Sequence, residues 1–153
     1  MGIDCAEAGG AMGITVRRMR AEDADAVRAV QRACPEAAQW EAEEREDRVV
    51  YVAEADGEVA GFAVWQELPG GEAELLNLAV HPRARRRGAG RALVEAMAGR
   101  RVWLEVRASN EGAIRFYETL GFQKRGSRRN YYRDPVEDAV VMERCGEKAG
   151  ADS

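Results

Sequence analysis

Three strand-like runs, Val49–Ala55, Val59–Gln66 and Ala73–Val80, follow one another with only short turns between them. Each carries β-branched and apolar residues on the alternating pattern that puts successive side chains on opposite faces of a strand. Asp56-Gly57 joins the first two as a tight hairpin. Pro69-Gly70-Gly71 marks the next turn. A chain with this middle has to build a sheet, and its helices have to fit around it.

The flanks supply those helices. Ile14–Met19 alternates and reads as a strand, and Glu22–Ala33 carries a helical stripe at Ala26, Val27, Val30 and Ala33. Pro35 ends that helix, and residues Glu36–Arg45 are expected to form a second, short one. From Gly88 the period becomes helical again, with Ala92, Leu93, Ala96 and Met97 on one side. Val102–Val106 is a strand. Asn110 can cap a helix that Gly121 ends, with Ala113, Phe116, Tyr117 and Leu120 on a shared face. Phe122–Arg125 and Ala139–Met142 read as a closing strand pair around a polar loop, Asn130–Asp138. The order β-α-(α)-β-β-β-α-β-α-β-β has no internal repeat, so a single α/β domain over residues 12–145 is expected, a mixed sheet with helices on both faces. Residues 1–11 and 146–153 are expected to be disordered tails.

Composition narrows the function classes. With 46% apolar and 33% charged residues among 153, the chain can bury one proper core. A net charge of −4 argues against bulk binding to nucleic acid or an anionic membrane. No run approaches the length of a membrane-spanning helix, and the first residues lack the pattern of a signal peptide. Cys5, Cys34, Cys145 and the single His81 offer neither a zinc spacing nor a disulfide framework, so no metal is expected and the thiols read as those of a cytoplasmic protein.

Against that acidic background, Arg83, Arg85, Arg86, Arg87 and Arg91 fall within nine residues, between a strand and a helix, with Gly88 and Gly90 among them. Glycines there let backbone N–H groups approach a phosphate, and the helix dipole favours its charge, so the segment reads as a pyrophosphate cradle. An exposed basic turn is the plainer alternative. A Walker loop is excluded because no Lys follows Gly90, and Leu93 stands where a dinucleotide fingerprint wants a third glycine or alanine.

Glu105 sits in the middle of a strand, opposite in face to Leu104 and Val106. A carboxylate there must be hydrated, paired or functional; Arg107 on the same face is the candidate partner for a simple salt bridge. Asn110 and Tyr117 are two helical turns apart and share a face. Tyr117 is either a core aromatic or, with Glu105, half of an acid–base pair suited to acyl transfer onto an amine.

These residues resemble the GNAT acetyltransferase superfamily from Ile14 to Glu143. Its acetyl-CoA motif, Gln/Arg-x-x-Gly-x-Gly/Ala, appears as Arg85-Arg86-Arg87-Gly88-Ala89-Gly90, and its later motif as Asn110 to Tyr117 followed by Leu120-Gly121-Phe122. Asn77–Val80, Trp103–Asn110, Arg128–Tyr132 and Glu137–Ala139 are similar to RimI-type enzymes, which acetylate the N-terminal alanine of a small-subunit ribosomal protein.

The resemblance implies a mostly antiparallel mixed sheet, splayed at the cofactor site, and acetyl-CoA as co-substrate. It implies that Leu78, Ala79 and Val80 present backbone to the pantetheine arm. Arg86, Arg87, Gly88, Ala89, Gly90 and Arg91 would cradle the pyrophosphate, and Asn110 would also contact the cofactor. Glu105 would be the general base and Tyr117 the general acid. Asn130, Tyr131 and Tyr132 would border the entrance for a protein N-terminus, with core packing of the hairpin as the other role open to the tyrosines. No direct contact with nucleic acid or membrane is implied. Two departures stand out: the Phe-Pro-Trp-Ser segment common in that family is replaced by Cys34-Pro35-Glu36 and a later Trp40, and the helix after Gly90 is short by about a turn and a half. A GNAT enzyme acting on lysine or a small amine, and a non-catalytic acetyl-CoA-binding regulator, are the alternative functions.

Overall fold

The computed structural model describes residues 13–35 and 48–146. The second short helix expected at 36–45 and, apart from Gly146, the expected tails lie outside the described residues. In chain order the elements are β1 (Ile14–Arg18), α1 (Ala24–Ala33), β2 (Arg48–Ala55), β3 (Glu58–Glu67), β4 (Ala73–Val80), α2 (Ala89–Glu95), β5 (Val102–Arg107), α3 (Glu111–Thr119), β6 (Gln123–Tyr132) and β7 (Glu137–Arg144). The strands are ordered β1-β2-β3-β4-β5-β7-β6. Two compact units share them, residues 1–67 with 76–97 and residues 68–75 with 98–153, so β4 contributes Ala73–Leu75 to the second and the rest to the first.

In the first unit β1, β2 and β3 form an antiparallel meander. The β2–β3 turn is the expected two-residue hairpin: Asp56 and Gly57 take φ of 55° and 87°, the left-handed pair that matches strand twist. Val27, Val30 and Cys34 of the α1 segment pack with Val50, Val52, Phe62 and Val64 of the sheet, at the three- and four-residue spacing of a helical stripe. Helix α2 lies on the opposite face. A Cβ on Gly61 would stand 3.0 Å from the Ala79 carbonyl oxygen and 3.5 Å from Leu93 Cδ1, so this glycine admits the close approach of helix and strand.

The start of α1 differs from the expectation at Glu22. Residues Ala21–Asp23 form a tight 3₁₀ turn and the α-helix proper begins at Ala24. Asp23 explains this: its carboxylate accepts from the Arg20 N–H at 2.7 Å and from both Nη atoms of Arg17 at 2.8 and 3.0 Å. Arg17 also donates to Glu54 on β2 at 2.9 Å. A nearly buried carboxylate is thereby paired and hydrogen-bonded, as burial requires.

In the second unit β4 and β5 run parallel, and their ladder couples Ala73, Glu74 and Leu75 to Val102, Trp103 and Leu104. β5 pairs antiparallel with β7, and β7 with the edge strand β6. Leu104, Val106, Met142, Ile114, Leu120 and Phe122 are buried. Asn110 caps α3 as expected, accepting from the Ala113 N–H at 3.1 Å. Gly121, at φ 97°, closes the helix while Phe122 N–H and Gly121 N–H donate to Tyr117 and Glu118 carbonyls, the paired arrangement of a Schellman end.

The closing strands are longer than the sequence suggests. Asn130–Tyr132 and Glu137–Asp138, read as loop, belong to β6 and β7, and only 133–136 form the turn. Two features hide this. β6 is solvent-exposed along almost its whole length, so no apolar alternation marks it, and its register against β7 shifts at Lys124/Gly126 and Arg128/Tyr132.

Candidate active site

The basic segment of the first unit is a shaped loop. After β4, Pro82–Ala84 makes a 3₁₀ turn, Arg86 adopts φ 66°, and Gly88 adopts φ 89° immediately before α2. A left-handed arginine is costly and concentrates at functional loops. The five arginines divide by partner. Arg83 pairs with Glu58 at 3.4 Å, and Arg87 with Asp56 at 3.1 Å. Arg85 donates through Nε to the Val80 carbonyl at 2.9 Å and through Nη2 to Cys34 Sγ at 3.4 Å. Arg86 and Arg91 have no ion pair with any described residue. The Arg87 guanidinium holds the Asp56 carboxyl below the usual carboxylate range, so within the basic turn Arg87 is partly neutralised.

Glu105 lies in the second unit, on the polar face of β5 shared with Trp103 and Arg107. Its side chain is 13% exposed and ion-paired with Arg128 of β6. The salt bridge to Arg107 offered by same-face spacing does not form. Arg107 pairs with Glu137 at 3.2 Å instead. Strand order accounts for the exchange: β7 lies between β5 and β6, and the Arg107–Ala139–Arg128 row puts only a buried alanine between the two arginines. Arg128 therefore reaches over β7 to Glu105. The Tyr131 hydroxyl also donates to Glu105, and this bond, with burial second, raises the Tyr131 hydroxyl pKa.

Glu74 is the neighbour that pattern reading passed over. It pairs in register with Trp103, and Glu105 follows two residues along the same face. Burial first, and the Glu105 charge second, push the Glu74 carboxyl upward. Only the parallel β4–β5 register could have exposed this pair, since residues 81–101 separate the strands in sequence.

Tyr117 projects from α3 into an aromatic cluster, edge-on to Phe116 at 5.1 Å and to Phe122 at 5.5 Å between ring centroids. Burial, then Tyr132, holds its hydroxyl well above the usual tyrosine value, so at neutral pH it keeps its proton. Tyr132 is pushed up to about 12 by burial and then by Glu105. Tyr132 is thus electrostatically coupled to both Glu105 and Tyr117. Tyr131 and Tyr132 meet edge-on at 5.1 Å, with Tyr131 47% exposed. Asn130, at φ 53°, is fixed by its N–H donating to Asp138 Oδ1 at 2.9 Å. The expected residues of this unit, Glu105, Tyr131 and Tyr132, come together. Asn110 gives its Oδ1 to the α3 cap, and its side-chain amide nitrogen takes no part in that bond.

A protonated phenol, an ion-paired carboxylate and an exposed tyrosine beside it can bind and deprotonate an amine and protonate a leaving group. Among the described residues no cluster of histidine, cysteine and acidic groups could hold a metal ion, and no described helix is long and apolar enough to cross a membrane.

The chain is 46% identical over 96 residues to the [ribosomal protein bS18]-alanine N-acetyltransferase of Escherichia coli K12, a match covering 57% of this chain and 64% of that protein's length. It is 37% identical over 99 residues to the N-alpha-acetyltransferase RimI of Mycobacterium tuberculosis, covering 60% and 63%. Among solved structures, the ribosomal-protein-S18-alanine N-acetyltransferase from Escherichia coli superposes with a TM-score of 0.70 at 34% identity, covering 86% of this chain and 92% of the other. Ard1 from Thermoplasma volcanium gives 0.69 at 28% identity, covering 88% and 99%. Residues 16–122 match the acetyltransferase (GNAT) family, and the chain belongs to that family.

Proposed function

We propose that this chain transfers the acetyl group of acetyl-CoA to the α-amine of a protein N-terminus, with the N-terminal alanine of a small-subunit ribosomal protein as its acceptor, in the cytoplasm. The observation that carries the reading is the pairing of Glu105 with the hairpin that bears Asn130-Tyr131-Tyr132: the Tyr131 hydroxyl donates to Glu105, and Arg128 closes on it. The names of the relatives support the acceptor. In this reading Arg86–Arg91 hold the pyrophosphate, with Gly88, Ala89 and Gly90 giving backbone access. Leu78–Val80 offer backbone to the pantetheine arm, and Asn110 meets the cofactor.

The chemistry asked of Glu105 is modest. An α-amine with pKa near 8 gives up its proton at pH 7 for about 1.4 kcal/mol, whereas a lysine near 10.4 costs about 4–5 kcal/mol. Glu105 takes that proton, the amine attacks the thioester carbonyl directly, Tyr117 protonates the departing sulfur, and the second proton that nitrogen sheds as the amide forms passes through solvent to restore the phenol. Its raised pKa suits a group that must arrive protonated.

The test is to incubate cell extract with enzyme and labelled acetyl-CoA and to identify the labelled sites by mass spectrometry. Label on the N-terminal alanine of a small-subunit ribosomal protein is expected. Label confined to lysine side chains or small amines would overturn the reading.

A further inference from the structure

The polar and ring contacts of the Arg107 side chain all end on one short stretch of the β6–β7 hairpin. Nη1 donates to the Pro135 carbonyl at 3.1 Å and to Glu137 Oε1 at 3.2 Å, and Nη2 donates to the Arg133 carbonyl at 3.2 Å. The guanidinium carbon sits 4.5 Å from the centroid of the Tyr132 ring, within cation–π range. One side chain therefore fixes two carbonyls of the turn, its flanking carboxylate and the ring of the residue before it.

Glu137 extends the same grip in the other direction. While Oε1 takes Arg107, Oε2 accepts the Ser109 N–H at 2.6 Å, one residue ahead of the Asn110 cap of α3. Ala108 N–H donates to the Asp138 carbonyl at 3.0 Å. The Ser109 hydroxyl, then burial, the Ser109 N–H and Arg107 set the Glu137 carboxyl, whose net displacement is below the usual carboxylate range. It is therefore an anion throughout the neutral range. Neither residue touches Glu105 or Tyr117 in any contact above. Both bind the segment that carries Tyr132 and, through its edge-on ring, Tyr131.

We propose that Arg107 and Glu137 are positioning residues for the acceptor: together they lock the hairpin turn against the start of α3, and so fix Tyr131 and Tyr132 as one wall for an extended peptide acceptor. This rests on the acceptor role given above to Asn130-Tyr131-Tyr132. The guanidinium fork is what the arrangement needs. A lysine keeps the charge but, as a point donor on a flexible stem, cannot hold two carbonyls, a carboxylate and a ring face at once. The contribution goes to extended acceptors, because a bare amino-acid amide presents an α-amine without the following residues that would lie along the hairpin.

The measurement is the ratio of kcat/KM for an Ala-starting basic hexapeptide to that for alaninamide, in wild type, Arg107→Lys and Glu137→Gln, with the acetyl-CoA KM and the melting temperature recorded beside it. The ratio is expected to fall about tenfold in each variant, the loss of about 1.4 kcal/mol of differential stabilisation, while the acetyl-CoA KM changes less than twofold. A role in stability alone lowers the melting temperature and scales both acceptors equally by the folded fraction, leaving the ratio where it was; that result overturns the proposal. A wild-type enzyme that prefers neither acceptor also overturns it. A wild-type enzyme that acetylates neither acceptor refutes the α-amine reading and this proposal with it, whereas turnover of both with unmoved ratios refutes the positioning role alone.

Discussion

Replacing Glu105 by Gln separates catalysis from architecture, because the two losses differ in size. The side chain keeps its length, and an amide oxygen still accepts the Tyr131 hydroxyl. What disappears is the charge facing Arg128. That arginine is 60% exposed and Glu105 is 13% exposed, so water screens the pair and removing it costs about 0–1 kcal/mol of stability. For a chain of this size, 1 kcal/mol lowers the melting temperature by about 2–4 °C. The rate should suffer far more, since an amide takes no proton from the amine and the loss of a positioned base costs about 10²–10⁴ in rate, or roughly 2.7–5.5 kcal/mol. The assay is continuous detection of released CoA thiol at saturating acetyl-CoA, with thermal unfolding by circular dichroism on the same preparation. A variant within about 4 °C of wild type but at least a hundredfold slower is the expected outcome. If Glu105→Gln keeps more than about a third of wild-type kcat, far above the loss expected of a base, the carboxylate is not the base, and its burial beside Arg128 is structural.

Gly88→Val forces a β-branched residue to φ 89° and is expected to weaken acetyl-CoA binding more than tenfold by calorimetry, with the melting temperature showing a folded protein; undiminished affinity would dismiss the cradle. Asp23→Asn breaks a nearly buried bidentate pair with Arg17 and should cost about 2–3 kcal/mol in urea unfolding at pH 7. Because Arg17 first, and the Arg20 backbone with it, hold the folded Asp23 carboxyl low despite its burial, its contribution is present above the unfolded value near 3.9 and is lost as pH falls below that through the folded value. The wild-type and Asp23→Asn curves should therefore converge in acid, and a gap that stays constant down to pH 2 would contradict the assignment. Glu74 is shifted the other way, so its charged form penalises the fold above the raised value; Glu74→Gln should raise the melting temperature at pH 7.5, and the gain should vanish below about pH 4.3, the unfolded value.

Much of this architecture was legible because local chemistry and long-range structure agree. The Asp56-Gly57 hairpin, the Asn110 cap and the Gly121 terminus each depend on residues within a few positions, and each forms as the spacing predicts. The α1 start escapes local pattern because Asp23 answers to Arg17 on a strand as well as to its own helix. The full length of β6 is hidden for a different reason. Its residues face water on both sides, so the burial that generates a period-two signal is missing, and two register shifts break what alternation remains.

Glu105 and Arg107 are in plain view in the sequence while their partners are not, and strand order is the cause. Same-face spacing on β5 offers Arg107 to Glu105, a local pairing with nothing against it in the sequence. In the fold, β7 comes between β5 and β6, Ala139 leaves the row open, and Arg128 crosses to Glu105 while Arg107 turns to the hairpin. The two arginines thus take separate places, one beside Glu105 and one at the turn. The assignment is decided by β6 joining the sheet outside β7, which is a long-range choice. Two arginines are chemically alike until that choice is made, so topology, and not local spacing, decides which charge Glu105 meets.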